Sequence, residues 1–378
     1  MKYFIIAGEA SGDLHGSNLI AGLIKTDPEA EIRCWGGDKM EKSGGRLLVH
    51  YRELAVMGIW EVLIRLGKIF KNLRICKQQV LDFNPDLVIL IDYPGFNLRI
   101  AKYLKNYAIN VYYYISPKVW AWKKSRIKKI KRYINRMYVI FPFEPEFFEK
   151  YAYRVHYFGN PLVETVEKGI KAAAKRPQFL ARYGLADKPV ISLLAGSREQ
   201  EIRKILPVMA GMEKYYPDYQ LLVAGISTVD PGVYERILVE SSIKVIYDDT
   251  YSLLVNSDAA LVTSGTATLE TAIAGIPQVV CYRTSGLSYA VARMLVKIRF
   301  ISLVNIIMDK EIVKELIQND LNERRLASEL NIILPGGRKR EQMIANYSVL
   351  KKKLSGRGAS ERIAKDMYHS LKLVDNVN

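Results

Sequence analysis

Short apolar runs that end on a glycine, a proline or an acid, each followed by a segment of helical period, recur along the whole chain. This alternation specifies βαβ units. A parallel strand is covered on both faces, so it reads as continuous Val/Ile/Leu rather than as an apolar/polar alternation. In the first half the expected strands are Tyr3–Ala7, Ile32–Trp35, Leu87–Ile91, Val111–Ile115 and Met137–Phe141. Helical segments such as Asp13–Lys25, Trp60–Val80 and Asn97–Tyr107 lie between them. A second series comprises Val190–Leu194, Gln220–Ala224, Lys244–Tyr247, Ala259–Val262 and Gln278–Tyr282. The join falls in the stretch from Gly159 to Gln178, and the tail from about Arg338 reads as polar helices.

A chain of 378 residues exceeds one ordinary core. The expected fold is therefore α/β, with two doubly wound, Rossmann-like parallel-sheet domains facing across a cleft. The boundaries are 1–165 for the first domain, 166–340 for the second, and 341–378 for tail helices. Those helices are expected to pack on the first domain or on a partner chain, a second copy being a candidate partner.

The 56 basic against 39 acidic residues leave a net charge of +17, which favours polyanionic partners: nucleic acid, anionic lipid headgroups or phosphorylated metabolites. The three cysteines, Cys34, Cys76 and Cys281, and the four histidines are scattered, which argues against a disulfide framework or a metal cluster. The N-terminal apolar run is cut by Glu9 and is too short for a signal-peptide core. No stretch approaches the ~18 apolar residues of a membrane span. A cytoplasmic protein able to touch a membrane is expected.

In open parallel sheets ligands bind beyond the carboxyl ends of the strands, and there the two halves differ in chemistry. The opening stretch FIIAGEASGDLHG places glycines at Gly8, Gly12 and Gly16, which fits neither G-x-G-x-x-G nor a G-K-[ST] phosphate loop. It carries Glu9 and Asp13, which would repel a phosphate. Asp13 is as readily a helix cap as a functional acid, whereas Glu9 lies at the strand's end. In FNPDLVILIDYPGFN, Asp92 ends an apolar run before the turn Tyr93-Pro94-Gly95, and Asn97 offers an alternative helix cap. Glu9 and Asp92 can share one pocket wall, where a carboxylate takes a proton from a hydroxyl. Capping is the competing use of both acids.

The second half has loops suited to anions. AGSREQE presents Gly196, Ser197 and Arg198, which free backbone N–H groups and add a guanidinium fork suited to pyrophosphate. In DAALVTSGTATLETAIAGIP a strand runs into Ser264, Gly265 and Thr266 at a new helix N-terminus, with Glu270 one turn in for ribose hydroxyls. Plain turns and caps are the competing readings. Two phosphate-suited loops in one domain and two acids in the other suit a sugar nucleotide and a hydroxyl acceptor. The arrangement resembles the GT-B glycosyltransferases. With no D-x-D motif near these loops, neither a metal nor another cofactor is expected.

From Leu54 to Arg74, apolar Ile59, Val62, Leu63, Leu66, Ile69 and Leu73 alternate at helical period with Arg65, Lys68, Lys71 and Arg74. Trp120 and Trp122 adjoin the seven basic residues of 123–132. Both segments fit an anionic lipid surface, against the alternatives of a core helix with a solvated basic edge and of RNA binding. No RRM, KH or helix-turn-helix signature supports nucleic acid, so no nucleic-acid partner is expected.

The blocks AGEASGD, LAVMGIWEVL, IDYPGFN, SPKVWAW, LLAGSR, SGTATLE and SLVNII, spanning Phe4 to Lys310, together resemble the lipid-A-disaccharide synthase family. The resemblance implies an inverting, membrane-associated GT-B transferase of Gram-negative lipid A biosynthesis, peripheral to the inner membrane. Its donor would be UDP-2,3-diacylglucosamine and its acceptor 2,3-diacylglucosamine 1-phosphate. The products would be lipid A disaccharide 1-phosphate and UDP. By the same resemblance Asp92 is the base for the acceptor 6-hydroxyl, with Glu9 beside it. Arg198 would contact the diphosphate and Glu270 the ribose, while Asn305 and Asn97 are expected in the cleft. Many relatives carry Gly-His where this chain has Gly159-Asn160, and an amide cannot exchange protons near neutral pH as imidazole does. The nearest competing function is that of a UDP-N-acetylglucosamine 2-epimerase-like enzyme on the same architecture.

Overall fold

A computed structural model of the chain describes residues 1–54, 66–121, 124–286, 289, 299–354, 356 and 358–375. It divides into two compact units, one formed by 1–161 with 356–378 and the other by 162–355. In the first unit the strands are β1 (Lys2–Ala7), β2 (Glu31–Gly36), β3 (Arg46–His50), β4 (Leu87–Ile91), β5 (Asn110–Tyr114), β6 (Arg136–Val139) and β7 (His156–Tyr157). They form one sheet in the order β3-β2-β1-β4-β5-β6-β7, with every recorded pairing parallel. The second unit contains β8 (Val190–Leu194), β9 (Gln220–Gly225), β10 (Lys244–Tyr247), β11 (Ala259–Thr263), β12 (Gln278–Tyr282) and β13 (Lys314–Ile317). Its sheet runs β10-β9-β8-β11-β12-β13, again parallel.

Strands β4 and β8 are buried at every residue, as expected of apolar runs covered by helices on both faces. Each fully buried Leu, Ile or Val stabilises the fold by roughly 1.5–3 kcal/mol. Strands β3, β7 and β13, which the apolar pattern does not announce, are short or only half-buried, so their runs are mixed rather than apolar. The expected extension of β5 through Ile115 is overturned. That residue has φ +64°, outside the extended region, and leaves the sheet.

Both sheets reverse direction once. In the first, the chain winds outward from β1 to β3 and then returns to lay β4 on the other flank of β1. In the second, β8 is flanked by β9 and β11 in the same way. The loops leaving β1 and β4 diverge at this point, as do those leaving β8 and β11, and each divergence opens a crevice at the carboxyl edge. Register aligns Ala7 with Ile91 and Ile91 with Tyr114 in one unit, and Leu194 with Val262 in the other.

The stretch from Gly159 to Gln178 is largely helical, in helices Pro161–Ala172 and Arg176–Tyr183. Helix Ala359–Asp375 belongs to the first unit. Asp366 accepts from the Tyr138 hydroxyl at 2.7 Å and pairs with Arg136 at 3.0 Å, and Tyr112 and Ser370 share a hydrogen bond of 3.0 Å.

Candidate active site

Asp92 follows the last residue of β4, at the reversal of the first sheet. It has φ +42° and the next residue, Tyr93, has φ +48°, both in the left-handed region that costs a non-glycine residue about 1–2 kcal/mol. Ile115, at the end of the neighbouring strand, adds a β-branched residue at positive φ. Such a cluster persists only where the surroundings over-determine it, and here they do. The Asp92 N–H donates to the Tyr114 carbonyl at 3.2 Å, and its carbonyl accepts from Asn97 Nδ2 at 2.7 Å and from the Tyr113 hydroxyl. Asn97 Nδ2 also reaches the Ile91 carbonyl at 3.2 Å. Pro94, whose φ is pre-set for a first helical turn, opens helix Pro94–Leu104 directly behind.

The turn leaves the Asp92 carboxylate half-buried, and burial pushes its pKa up to about 6. Lys118 pulls it down, Glu9 pushes it up, and the Tyr93 N–H and Arg126 pull it down. Glu9, Lys118 and Arg126 are thus the charged side chains whose fields act on Asp92. Gly8 brings the first loop onto the second: a Cβ added there would lie 2.4 Å from Tyr93 Cγ, so only glycine lets the β1 loop close on the ring. Glu9 itself is exposed, with no side-chain cap made, at the start of helix Ala10–Thr26.

Asp13, in contrast, is buried. Its carboxylate accepts from the backbone N–H groups of Gly37, Lys39 and Met40 at 2.9, 3.2 and 3.0 Å, which makes it a structural cap for helix Asp38–Lys42. The expectation for Asn97 changes as well. It is fully buried and braces the Asp92 turn from behind, rather than opening into a cleft.

Sequence reasoning passed over several neighbours. Arg126 lies in the basic run 123–132 and Lys118 in the block SPKVWAW, and nothing in their spacing ties either to Asp92. Glu144 is fully buried, and burial pushes its pKa up to about 7. It accepts from the Ser116 hydroxyl and from the N–H groups of Ile140 and Phe141 at 3.1 and 2.9 Å, tying the end of β5 to the turn after β6. His15 is buried edge-on to Tyr114 with Nδ1 unpartnered, and burial lowers its pKa to about 4, keeping it neutral. Asn160 is buried beside Gly159, whose φ is +107°.

In the second unit the loops after β8 and β11 hold the expected anion-binding residues. Gly196 has φ +113°, followed by exposed Ser197 and by Arg198, the N-cap residue of helix Glu199–Ala210. No side chain caps that helix, and the guanidinium is 72% exposed, 3.5 Å from Glu201. Helix Thr266–Ile273 likewise starts without a side-chain cap after Gly265, where an added Cβ would meet nothing within 4 Å. Two uncapped helix N-termini at one crevice are an arrangement suited to a diphosphate. Glu270 accepts from the Tyr251 hydroxyl at 3.1 Å, which orients its carboxylate. The Ser264 hydroxyl donates to the Ile301 carbonyl at 2.9 Å.

Asn305 is a correction. It is fully buried, donating through Nδ2 to the Val313 carbonyl and to Glu315 at 2.8 Å each. Its Oδ1 accepts from the N–H groups of Ile312 and Val313 at 2.7 and 3.0 Å. It is a strut and faces no cleft.

Of the expected lipid-facing residues, Ile59, Val62, Leu63, Arg65 and Trp122 lie outside the described residues, as does the side chain of Leu66. Lys68 and Lys71 are exposed on helix Leu66–Phe83, beside Phe70, which is 62% exposed. Ile69 instead packs against the core together with Leu73, because the helical period turns both inward. Trp120 is half-buried and edge-on to Phe143 and Phe141 at 5.1 and 6.1 Å, so it belongs to an aromatic cluster. Helix Arg126–Tyr133 buries Ile127 and Ile130 and exposes Lys128, Lys129, Lys131 and Arg132. Among the described residues no group of three or more His, Cys, Asp or Glu is placed to hold a metal, and no helix is long and apolar enough to cross a membrane.

Residues 3–367 match the lipid-A-disaccharide synthetase family. A lipid-A-disaccharide synthase of Geobacter sulfurreducens is 37% identical over 370 residues, covering 96% of this chain and 95% of that protein. Among solved structures, a UDP-GlcNAc 2-epimerase of Neisseria meningitidis bound to UDP-GlcNAc superposes with a TM-score of 0.64 at 13% identity, covering 98% of this chain and all of the other. The calicheamicin glycosyltransferase CalG4 does so with a TM-score of 0.63 at 14% identity, covering 99% and 98%. At such identities the structures speak for the GT-B fold alone.

Proposed function

Because the chain belongs to the lipid-A-disaccharide synthase family and is a glycosyltransferase of lipid A biosynthesis, we propose that it joins UDP-2,3-diacylglucosamine to 2,3-diacylglucosamine 1-phosphate with inversion at the anomeric carbon. The observation that carries this reading is the placement of Asp92: a carboxylate with a pKa near 6, on a strained turn at the point where the first sheet reverses. A base of that strength is ionised near neutral pH yet a better proton acceptor than an ordinary aspartate. It takes the proton of the acceptor 6-hydroxyl as that oxygen bonds to the donor's anomeric carbon. The bond from that carbon to the diphosphate breaks on the opposite face, and UDP leaves.

The departing charge falls to the second unit. Backbone N–H groups at the starts of helices Glu199–Ala210 and Thr266–Ile273, with Arg198, stabilise the diphosphate, and Glu270 accepts from the ribose. Lys118 and Arg126, whose charges pull the Asp92 pKa down, suit the acceptor's phosphate. Exposed Lys68, Phe70 and Lys71 and the basic face of helix Arg126–Tyr133 suit an anionic membrane surface, where both lipid substrates reside.

The test is mass spectrometry of the products formed by purified protein from the two lipids. The disaccharide 1-phosphate and UDP are expected. Conversion of UDP-GlcNAc to its C2 epimer without lipid, and no disaccharide, would sink the proposal.

A further inference from the structure

Ser264 stands in the loop that the diphosphate reading requires, yet its hydroxyl is committed elsewhere. Oγ lies 2.9 Å from the Ile301 carbonyl, and a carbonyl only accepts, so the single hydroxyl proton points there. What remains on Oγ is lone-pair density, which repels an anion. Ser264 is thus a latch between its loop and the segment at Ile301, and that segment is held in turn. The Glu315 carboxylate in β13 accepts from the Ile301 N–H through Oε2 at 2.9 Å, and from the Ser302 N–H through Oε1 at 2.9 Å. The same Oε1 accepts from Asn305 Nδ2 at 2.8 Å. The Ile301 carbonyl and the Ser302 N–H belong to one planar peptide unit and point in opposite directions. A single rigid plate therefore has Glu315 on one edge and Ser264 on the other.

We infer that Glu315 is a positioning residue for the diphosphate loop, acting through the 301–302 peptide and Ser264 on where the start of helix Thr266–Ile273 stands. The inference rests on the reading that this loop holds the UDP diphosphate. Charge-assisted bonds to two consecutive N–H groups fix the orientation of that peptide more firmly than neutral acceptors would. Glutamine at position 315 offers one acceptor oxygen and one NH2 group, so at least one of the three bonds becomes a donor–donor contact.

The experiment is calorimetric titration of UDP into Glu315→Gln, Ser264→Ala and the double variant, with Arg198→Ala alongside and thermal unfolding as the check on folding. Each of the first two substitutions should weaken UDP binding by about tenfold, the order of effect expected from losing one ordered hydrogen bond. The double variant should be no weaker than either single one, because both act along one path. A folded Glu315→Gln with unchanged UDP affinity overturns the inference, as do single effects that multiply to about a hundredfold. Where Glu315→Gln does not fold, Ser264→Ala decides, since unaltered affinity there removes the latch. Arg198→Ala separates the two levels. Loss of affinity in that variant keeps the diphosphate reading even if Glu315 fails, and its silence removes the reading together with the inference.

Discussion

Asp92 owes its chemistry to the place where its strand stops. Burial raises its proton affinity, and Lys118 and Arg126 keep the rise within bounds. A base must be deprotonated to act, so kcat/KM should climb with unit slope as pH rises toward about 6 and level off above it. A profile flat from pH 5 to 8 would contradict the raised value. Gly8 supports the same turn. Gly8→Ala drives a methyl group into the Tyr93 ring, and turnover should fall by about 10²-fold, the typical effect of misplacing a catalytic group by an ångström. UDP affinity in that variant should stay unchanged, and a parallel loss on titration would count against a local effect. Asp92 was legible because an apolar run ends on it. Asn97 and Asn305 were not, since an amide's partners are set by tertiary neighbours that spacing does not reveal.

At the scale of elements, the helices that matter begin without side-chain caps. Helices Glu199–Ala210 and Thr266–Ile273 were visible as small residues following apolar strands, which is why their loops could be named from the chain alone. The amphipathic helix was legible only in part. Its period marks one apolar stripe, and Ile69 and Leu73 show that this stripe faces the core, leaving Lys68, Phe70 and Lys71 outside. Replacing Lys68 and Lys71 with serine should weaken co-sedimentation with anionic vesicles by roughly 30-fold at low salt, from about 1 kcal/mol per charge. The effect should shrink as salt rises. Unaltered co-sedimentation would remove this helix from the interface.

At the scale of the whole molecule, strand order does the organising. The alternation of strand and helix announced parallel sheets, but the reversals between β1 and β4 and between β8 and β11 are properties of pairing, and they put the two acids at one crevice and the anion loops at another. Between the two places expected for the final helix, the first domain and a partner chain, the chain alone could not choose, because the close approach that seats it involves small residues without period. A Cβ at Gly22 would lie 3.0 Å from Ala364 Cβ, and Lys25 pairs with Glu361 at 3.0 Å. Gly22→Val should therefore push that helix outward and cost about 1–3 kcal/mol, read as a lowered unfolding midpoint. An unchanged midpoint would show that the contact is loose. The division of labour between the two units is tested most directly by Asp92→Asn, assayed for transfer between the two lipids and titrated with UDP. Turnover should fall by about 10²–10⁴-fold while UDP affinity stays as in the parent protein. Turnover close to that of the parent would contradict the account.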